Sequence, residues 1–367
     1  MKVYQIFEYY PLFYQPYIPL MVELLAKQID SKVIAFKGVS DYEYVEVLPS
    51  YQKRIFLQKL RNIISTSDVQ LNYLERKAFE AKTDIIHIQH SFLFGKITSL
   101  LEFPKLSRPK VVITLRGGDT YIKPWVSKRW KDFYLNYANK VDAFVVMSED
   151  QKQYLGRWNV PLDRIYVIPI SFGLPFKILP KYPNKDKMRV VSVFRMCWEK
   201  SISDNLRFIK KIKESGVDIS YDVYGDGKDL GQLYFLLDRF GLNDCVQVKG
   251  RVENSIIRSR FKNYDFILQL SHSESFGMSI VEAQACGVPA VVSNVGGLPE
   301  IVKKNKTGLI GNSDDLETLS KNTVNLWRDK NQYLTFSEFS ITNAQKKFNL
   351  EVEVKSLISL YKNLLRN

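Results

Sequence analysis

Two glutamates, Glu274 and Glu282, flank the segment Ser275-Phe276-Gly277-Met278-Ser279-Ile280-Val281. An apolar run at 266–270 leads into this segment, and the spacing from Met278 predicts a helix over 278–286. A helix N-terminus presents backbone N–H groups and the positive end of its dipole. Gly277 has no side chain, so a phosphate can approach the backbone of Phe276, Gly277 and Met278 closely. Glu282 then falls about one turn inside the helix and Glu274 in the lead-in loop. Carboxylates repel phosphate but accept hydrogen bonds from sugar hydroxyls. The ligand this pattern suits therefore carries both a phosphate and a polyol. By itself, the pattern equally describes an acid at a helix start and a second acid on the surface.

Arg195 and Lys200, in Arg-Met-Cys-Trp-Glu-Lys, supply the missing positive charge just after the apolar run 190–194. A planar guanidinium fork and a point-charge ammonium suit a diphosphate and can neutralise it as a leaving group. Two ordinary surface cations would read the same way. Glycines mark two further strand ends. Tyr224-Gly225-Asp226-Gly227 and Lys249-Gly250-Arg251-Val252 are turns near a ligand or plain strand-to-helix turns.

Positioning these residues requires alternating strands and helices. Val- and Ile-rich runs predict strands at 3–7, 32–36, 84–88, 111–115, 143–147, 165–168, 190–194, 219–224, 246–249, 266–270 and 290–293. Most lack polar alternation, as parallel strands buried on both faces do. Helices are expected at 19–29, 149–158, 203–215, 231–240 and 278–286. Ser148 and Gln151 form a capping-box pattern, and Gly287-Val288-Pro289 is a helix stop. The proline-rich stretch 171–188 predicts a boundary between two α/β halves. After Phe348 a final amphipathic helix is expected, with Val352, Leu357, Leu360 and Leu364 on its apolar side.

The chain has 367 residues, 45% hydrophobic and 25% charged, which excludes disordered and collagen-like classes. Three dispersed cysteines and three histidines exclude a disulfide framework and leave little for a metal site. No apolar run reaches the length of a membrane span, and the N-terminus does not read as a signal peptide. A cytoplasmic protein is expected. The net charge is +14, and residues 51–131 alone hold 16 basic and 6 acidic residues, an excess of 16 − 6 = +10. Such an excess suits nucleic acid, an anionic membrane or phosphorylated ligands, or is simply a solvated basic face.

Taken in order, these segments resemble the retaining glycosyltransferases of family 4, of the group 1 type. Glu274 and Glu282 lie in SESFGMSIVEAQACGVPAVVSNVGGLPEIV, with Arg195 and Lys200 ahead of them. The glycine pair Gly225 and Gly227, and the stretch from VDAFVVMSEDQKQYL to DRIYVIPISFG, complete the match. The resemblance implies a GT-B fold, two Rossmann-like domains whose parallel sheets face across a cleft. It implies an N-terminal acceptor-binding domain over 1–172, a nucleotide-sugar-binding domain over 173–347, and a helix over 348–367 packing back on the first domain. Arg195 and Lys200 would hold the donor diphosphate, Glu282 the ribose hydroxyls, and Glu274 the transferred sugar or its phosphate. Phe276–Met278 would line the sugar and phosphate site, Gly225 would border it, and the base would lie by Gly250, Arg251 and Val252. No cofactor is implied; a nucleotide diphosphate sugar is the donor substrate and the reaction proceeds without a metal.

The sequence departs from that family in three places, two of them in its first half. The first loop carries no glycine, so either Tyr14 or Gln15 would border the phosphates instead or the loop would sit farther away. The usual His-Gly-x-Asp reads Arg116-Gly117-Gly118-Asp119, which leaves Asp119 to orient an acceptor or sugar hydroxyl and Arg116 to meet phosphate. Ser201 stands where glycine usually follows the lysine. His90 suits an acceptor contact or a structural hydrogen bond. Seven aromatics crowd residues 4–17, and Tyr9, Tyr10, Phe13 and Tyr14 are candidates for stacking on sugar or touching lipid. The expected partners are a nucleotide sugar and a glycan or lipid-linked acceptor, with an anionic membrane surface at the inner face of the cell membrane as a further candidate and no nucleic acid. Two rival readings stand beside this one. They are a nucleic-acid binder or modifier using the basic region, and a catalytically inactive GT-B partner subunit.

Overall fold

The computed structural model describes residues 1–11, 17–64 and 70–366, without the side chains of 61–64. The chain divides into two compact units, Met1–Pro169 with Leu350–Asn367, and Ile170–Asn349. The expected boundaries at 172 and 347 lie within a few residues of these cuts.

In the first unit the strands are β1 (Lys2–Tyr10), β2 (Asp30–Gly38), β3 (Val45–Val47), β4 (Ile85–Ile88), β5 (Lys110–Thr114), β6 (Ala143–Val146) and β7 (Ile165–Val167). They form one parallel sheet in the order β3-β2-β1-β4-β5-β6-β7. The second unit contains β8 (Met188–Val193), β9 (Ile219–Tyr224), β10 (Val246–Gly250), β11 (Phe266–Gln269), β12 (Ala290–Ser293) and β13 (Gly308–Gly311). Its parallel order is β10-β9-β8-β11-β12-β13. Both sheets therefore reverse their winding once, between β1 and β4 and between β8 and β11. At such a reversal the loops leaving the two neighbouring strands part, and ligands bind in the opening at their carboxyl ends.

The burial of β4, β11 and β12 at every position explains why their sequences are continuous apolar runs. Strands β3 and β13 escaped the sequence pattern. Val-Glu-Val and Gly-Leu-Ile-Gly are too short to show a period, and β2 and β12 define them by pairing. The helices Leu316–Arg328 and Lys330–Lys347 were likewise not anticipated.

Three local expectations need correction. Ser148 caps the helix Glu149–Leu155 by accepting from the Gln151 N–H, but the Gln151 carboxamide reaches back to the Met147 N–H, so the reciprocal box is not formed. The boundary segment ends before Met188, which begins β8. In the final helix, Leu350–Arg366, Leu357, Leu360 and Leu364 are buried as expected, whereas Val352 is exposed and Val354 takes the inward position.

Candidate active site

The carboxyl ends of β8 and β11 bring together two segments some 75 residues apart in sequence. Lys200 donates to the Glu274 carboxylate in a close ion pair, and the Gln269 amide donates to the same oxygen. Both charged side chains are largely shielded from solvent, 17% exposed for Lys200 and 12% for Glu274. Arg195 stands beside them, 74% exposed, with its guanidinium 3.8 Å from Glu199. The backbone carbonyl of Glu199 accepts from the N–H groups of His272 and Ser273, which ties the two loops directly.

Asn205 locks this junction. Its amide nitrogen donates to the carbonyls of Lys200 and Ser201, and its oxygen accepts from the Leu270 N–H. Ser201 sits in the left-handed region, φ +44°, immediately before the helix Ile202–Glu214. That conformation accounts for glycine being usual there. Ser201 adopts it while its hydroxyl donates to Asp204 at 2.6 Å.

The glycines act as spacers. A Cβ on Gly225 would lie 1.9 Å from the Phe194 carbonyl oxygen, and one on Gly227 2.1 Å from that of Met196. Their absence lets the 225–227 turn hydrogen-bond along the Phe194–Met196 backbone, which carries Arg195. Gly296 does the same for Glu274: its Cβ would lie 2.0 Å from the Glu274 carbonyl oxygen, which accepts from the Gly297 N–H. Gly277 is packed as well as placed for the backbone approach. Leu298 and Ile301 occupy the space its Cβ would take, and its φ of +103° is itself a glycine conformation. It begins the helix Met278–Ala285, with Phe276 buried and Met278 partly exposed.

Glu282 is buried on that helix, and burial pushes its carboxyl above the ordinary range despite hydrogen bonding from Asn254 and the nearby Arg258. The Asn254 amide donates to it at 2.8 Å. Gly250, at φ +66°, ends β10 and accepts from the Gly225 N–H; Arg251 and Val252 follow it into the helix Asn254–Arg260. Thus Arg195, Lys200, Glu274, Gly225 and the Phe276–Met278 turn gather at one reversal. The Gly250–Val252 turn joins them through Gly225, and Glu282 through Asn254.

In the first unit, the reversal between β1 and β4 holds His90, Arg116 and Asp119. The His90 Nδ1 accepts from the Glu8 N–H at 3.1 Å, which leaves its proton on Nε2. Its ring stacks on Phe92 and meets Phe7 edge-on. Burial, aided by Arg116, lowers its pKa to about 4, so the ring is neutral. The Asp119 carboxylate accepts from the backbone N–H groups of Arg116 and Gly117 and from the Ser91 hydroxyl. It thereby shapes its own loop. The Arg116 guanidinium donates to Gln89 at 3.0 Å. Tyr10, expected as a stacking ring, is 1% exposed and belongs to the core, whereas Tyr9 faces solvent. Phe13, Tyr14 and Gln15 lie outside the described residues.

Sequence reasoning missed Gln269, Asn205, Asn254 and Gly296. Only Gly296 carried a signal, as one of a glycine pair in the quoted motif.

Comparison with known proteins bears on the whole chain. The family model described as Glycosyltransferase Family 4 matches residues 20–170, and that described as Glycosyl transferases group 1 matches 177–342. An uncharacterised 41.2 kDa protein in the cps region of Klebsiella pneumoniae is 26% identical over 354 residues, 92% of this chain and 93% of that one. The alpha-monoglucosyldiacylglycerol synthase of Acholeplasma laidlawii is 26% identical over 319 residues, 79% of this chain and 78% of that one. Among solved structures, Anabaena HepE in complex with UDP superposes with a TM-score of 0.73 at 16% identity, over 99% of this chain and 100% of that one. With both halves matched in order and two doubly wound parallel sheets of the GT-B fold, the chain belongs to the family 4 glycosyltransferases of the group 1 type.

Proposed function

We propose that this glycosyltransferase moves a sugar from a nucleotide diphosphate sugar to a hydroxyl of a glycan or lipid-linked acceptor in glycoconjugate synthesis, with retention at the anomeric carbon and without a metal. The observation that carries this reading is the Lys200–Glu274 ion pair at the β8–β11 reversal, with Arg195 exposed beside it. A diphosphate entering there takes Lys200 and Arg195 as its counter-charges. Glu274, held by Gln269, then faces the sugar, and Glu282 accepts from the ribose hydroxyls. Glu274 acts by orientation rather than attack. The bond from the anomeric carbon to the diphosphate oxygen breaks and the acceptor oxygen bonds on the same face. The leaving phosphate oxygen takes the acceptor proton. Lys200 and Arg195 stabilise the charge that develops on the diphosphate. The UDP complex of a structural relative supports a nucleotide donor.

The acceptor reading draws on the first unit. The helix Tyr51–Ile64 carries four basic and no acidic residues, and none of its described side chains is buried. Tyr51, Phe56 and Leu60 are exposed among the cations, a composition suited to the surface of an anionic membrane. A relative named for making a monoglucosylated diacylglycerol supports a lipid acceptor. Among the described residues no helix is long and apolar enough to cross a membrane.

The test is a thermal-shift panel of UDP-, GDP-, ADP- and dTDP-sugars, followed by turnover of the best donor. One nucleotide sugar should stabilise by about 2.7 kcal/mol at 100 times its dissociation constant. Arg195→Ala with Lys200→Ala should retain the fold and lower donor turnover by at least about a hundredfold. Turnover that survives the double substitution overturns the mechanism, and an inverted product anomer by NMR overturns retention.

A further inference from the structure

A groove of about 950 Å³ lies in the second unit, along the edge strand β13 and the loop that precedes it. This volume sits at the upper end of ordinary small-molecule sites. Lys303, Lys304, Lys306 and Lys347 line it; the Lys303 ammonium donates to the Glu300 carbonyl at 3.0 Å, and the other three lysines are exposed. None of the four makes an ion pair among the described residues. The only acidic side chain in the lining is Asp315, and it is already committed. Its carboxylate accepts from the Thr318 N–H at 3.1 Å and caps the helix Leu316–Arg328. Buried Val302, Leu309 and Leu319 supply apolar surface beneath the charged rim.

Four lysines against one carboxylate leave the lining with a net positive charge, which favours an anion. Asparagine amides, including those of Asn294 and Asn312, add paired donors and acceptors that match sugar hydroxyls. The lining offers no aromatic ring on which a base would stack. We propose that this groove is a second ligand site, separate from the Lys200–Glu274 junction, that binds a polyhydroxylated anion. The source is either a free sugar phosphate or an acidic unit of a glycan chain.

Calorimetry on the full chain at low salt tests this with three probes: glucose 6-phosphate, a heparin-derived tetrasaccharide and inorganic phosphate. The groove should bind one of the two saccharide probes more tightly than inorganic phosphate, and which one identifies the source. Lys304→Glu with Lys306→Glu should weaken that binding at least about tenfold. The thermal midpoint of the doubly substituted protein, compared with the parent, reports the fold independently of any ligand. Saccharide probes that bind no better than inorganic phosphate, or equal binding by a folded charge-reversed variant, overturn the proposal. The measurement requires no sugar transfer, so it stands apart from the fate of the donor reading.

Discussion

Ser201 concentrates the tension between local strain and site construction. A non-glycine residue in the left-handed region costs about 1 kcal/mol or more. The hydroxyl bond to Asp204 returns a similar amount, about 1 kcal/mol. Ser201→Gly loses the bond and sheds the strain, so its stability should stay within about 1 kcal/mol of the parent. Ser201→Ala loses the bond and keeps the strain, and it should be the less stable of the two by about 1 kcal/mol. Urea denaturation of the pair measures the difference. An alanine variant as stable as the glycine one would show that the left-handed conformation is not maintained. The same residue explains how Lys200 is aimed: the reversal of the backbone at Ser201 puts the Lys200 and Ser201 carbonyls on the Asn205 amide.

At the scale of elements, the final helix enters the first unit through a buried polar chain whose protons can be assigned. Gln5 donates to the Tyr361 hydroxyl at 3.0 Å, so that hydroxyl gives its own proton to His87 Nδ1 at 2.6 Å. His87 Nε2–H then donates to Thr114 at 2.7 Å. Gln89 donates to Gln5 and His87 and accepts from Arg116. Tyr361→Phe leaves a fully buried Gln5 amide without its acceptor and should cost about 1–3 kcal/mol. Burial, with Arg116 nearby, lowers His87 to about 3 and His90 to about 4, against an ordinary value of 6.5. Between these limits the unfolded chain binds more protons than the folded one. The contribution of the two histidines is therefore full above pH 6.5 and falls as pH drops through this window, while the raised carboxyl of Glu282 works in the opposite direction. Denaturation midpoints of the parent and of His90→Gln at about pH 7.5 and about pH 5 isolate the histidine: the parent should lose more, or gain less, on acidification than the variant. The same pH response in parent and variant would contradict the buried neutral His90.

Legibility follows from the same physics. Runs such as Ile85–Ile88 announced themselves because burial on both faces leaves no polar alternation. Val45–Val47 did not, since three residues carry no period and β2 alone defines them. The Arg195–Lys200 and Glu274–Glu282 segments were readable as motifs, but the side chains that hold them were not. Gln269, Asn205 and Asn254 are amides like many others until the fold brings a carboxylate or carbonyl to each. Gly277 was legible as a glycine, but its packing was not: Leu298 and Ile301, distant in sequence, occupy the space beside it.

At the scale of the whole molecule, the +14 charge is uneven in what it can serve. Arg195 and Lys200 account for two charges at the junction, and four lysines line the groove by β13. The +10 of residues 51–131 belongs to the first unit, and the helix Tyr51–Ile64 holds four of its basic residues and none of its acidic ones. Arg54 is engaged locally, its guanidinium 5.0 Å from the Phe36 ring and donating to the Pro49 carbonyl. Lys53 and Lys59 are exposed and flank Phe56. Near an anionic lipid surface each such lysine contributes about 1 kcal/mol, while Tyr51, Phe56 and Leu60 can enter the interface. Co-sedimentation with vesicles should therefore show binding to phosphatidylserine-containing membranes, weakening with salt, and little to neutral ones. Lys53→Glu with Lys59→Glu should weaken that binding at least about tenfold while leaving nucleotide affinity unchanged, because neither residue belongs to the donor site. Equal binding to neutral and anionic vesicles at low salt, or no effect of the double reversal, would remove this helix as the membrane contact and leave its charge a solvated face.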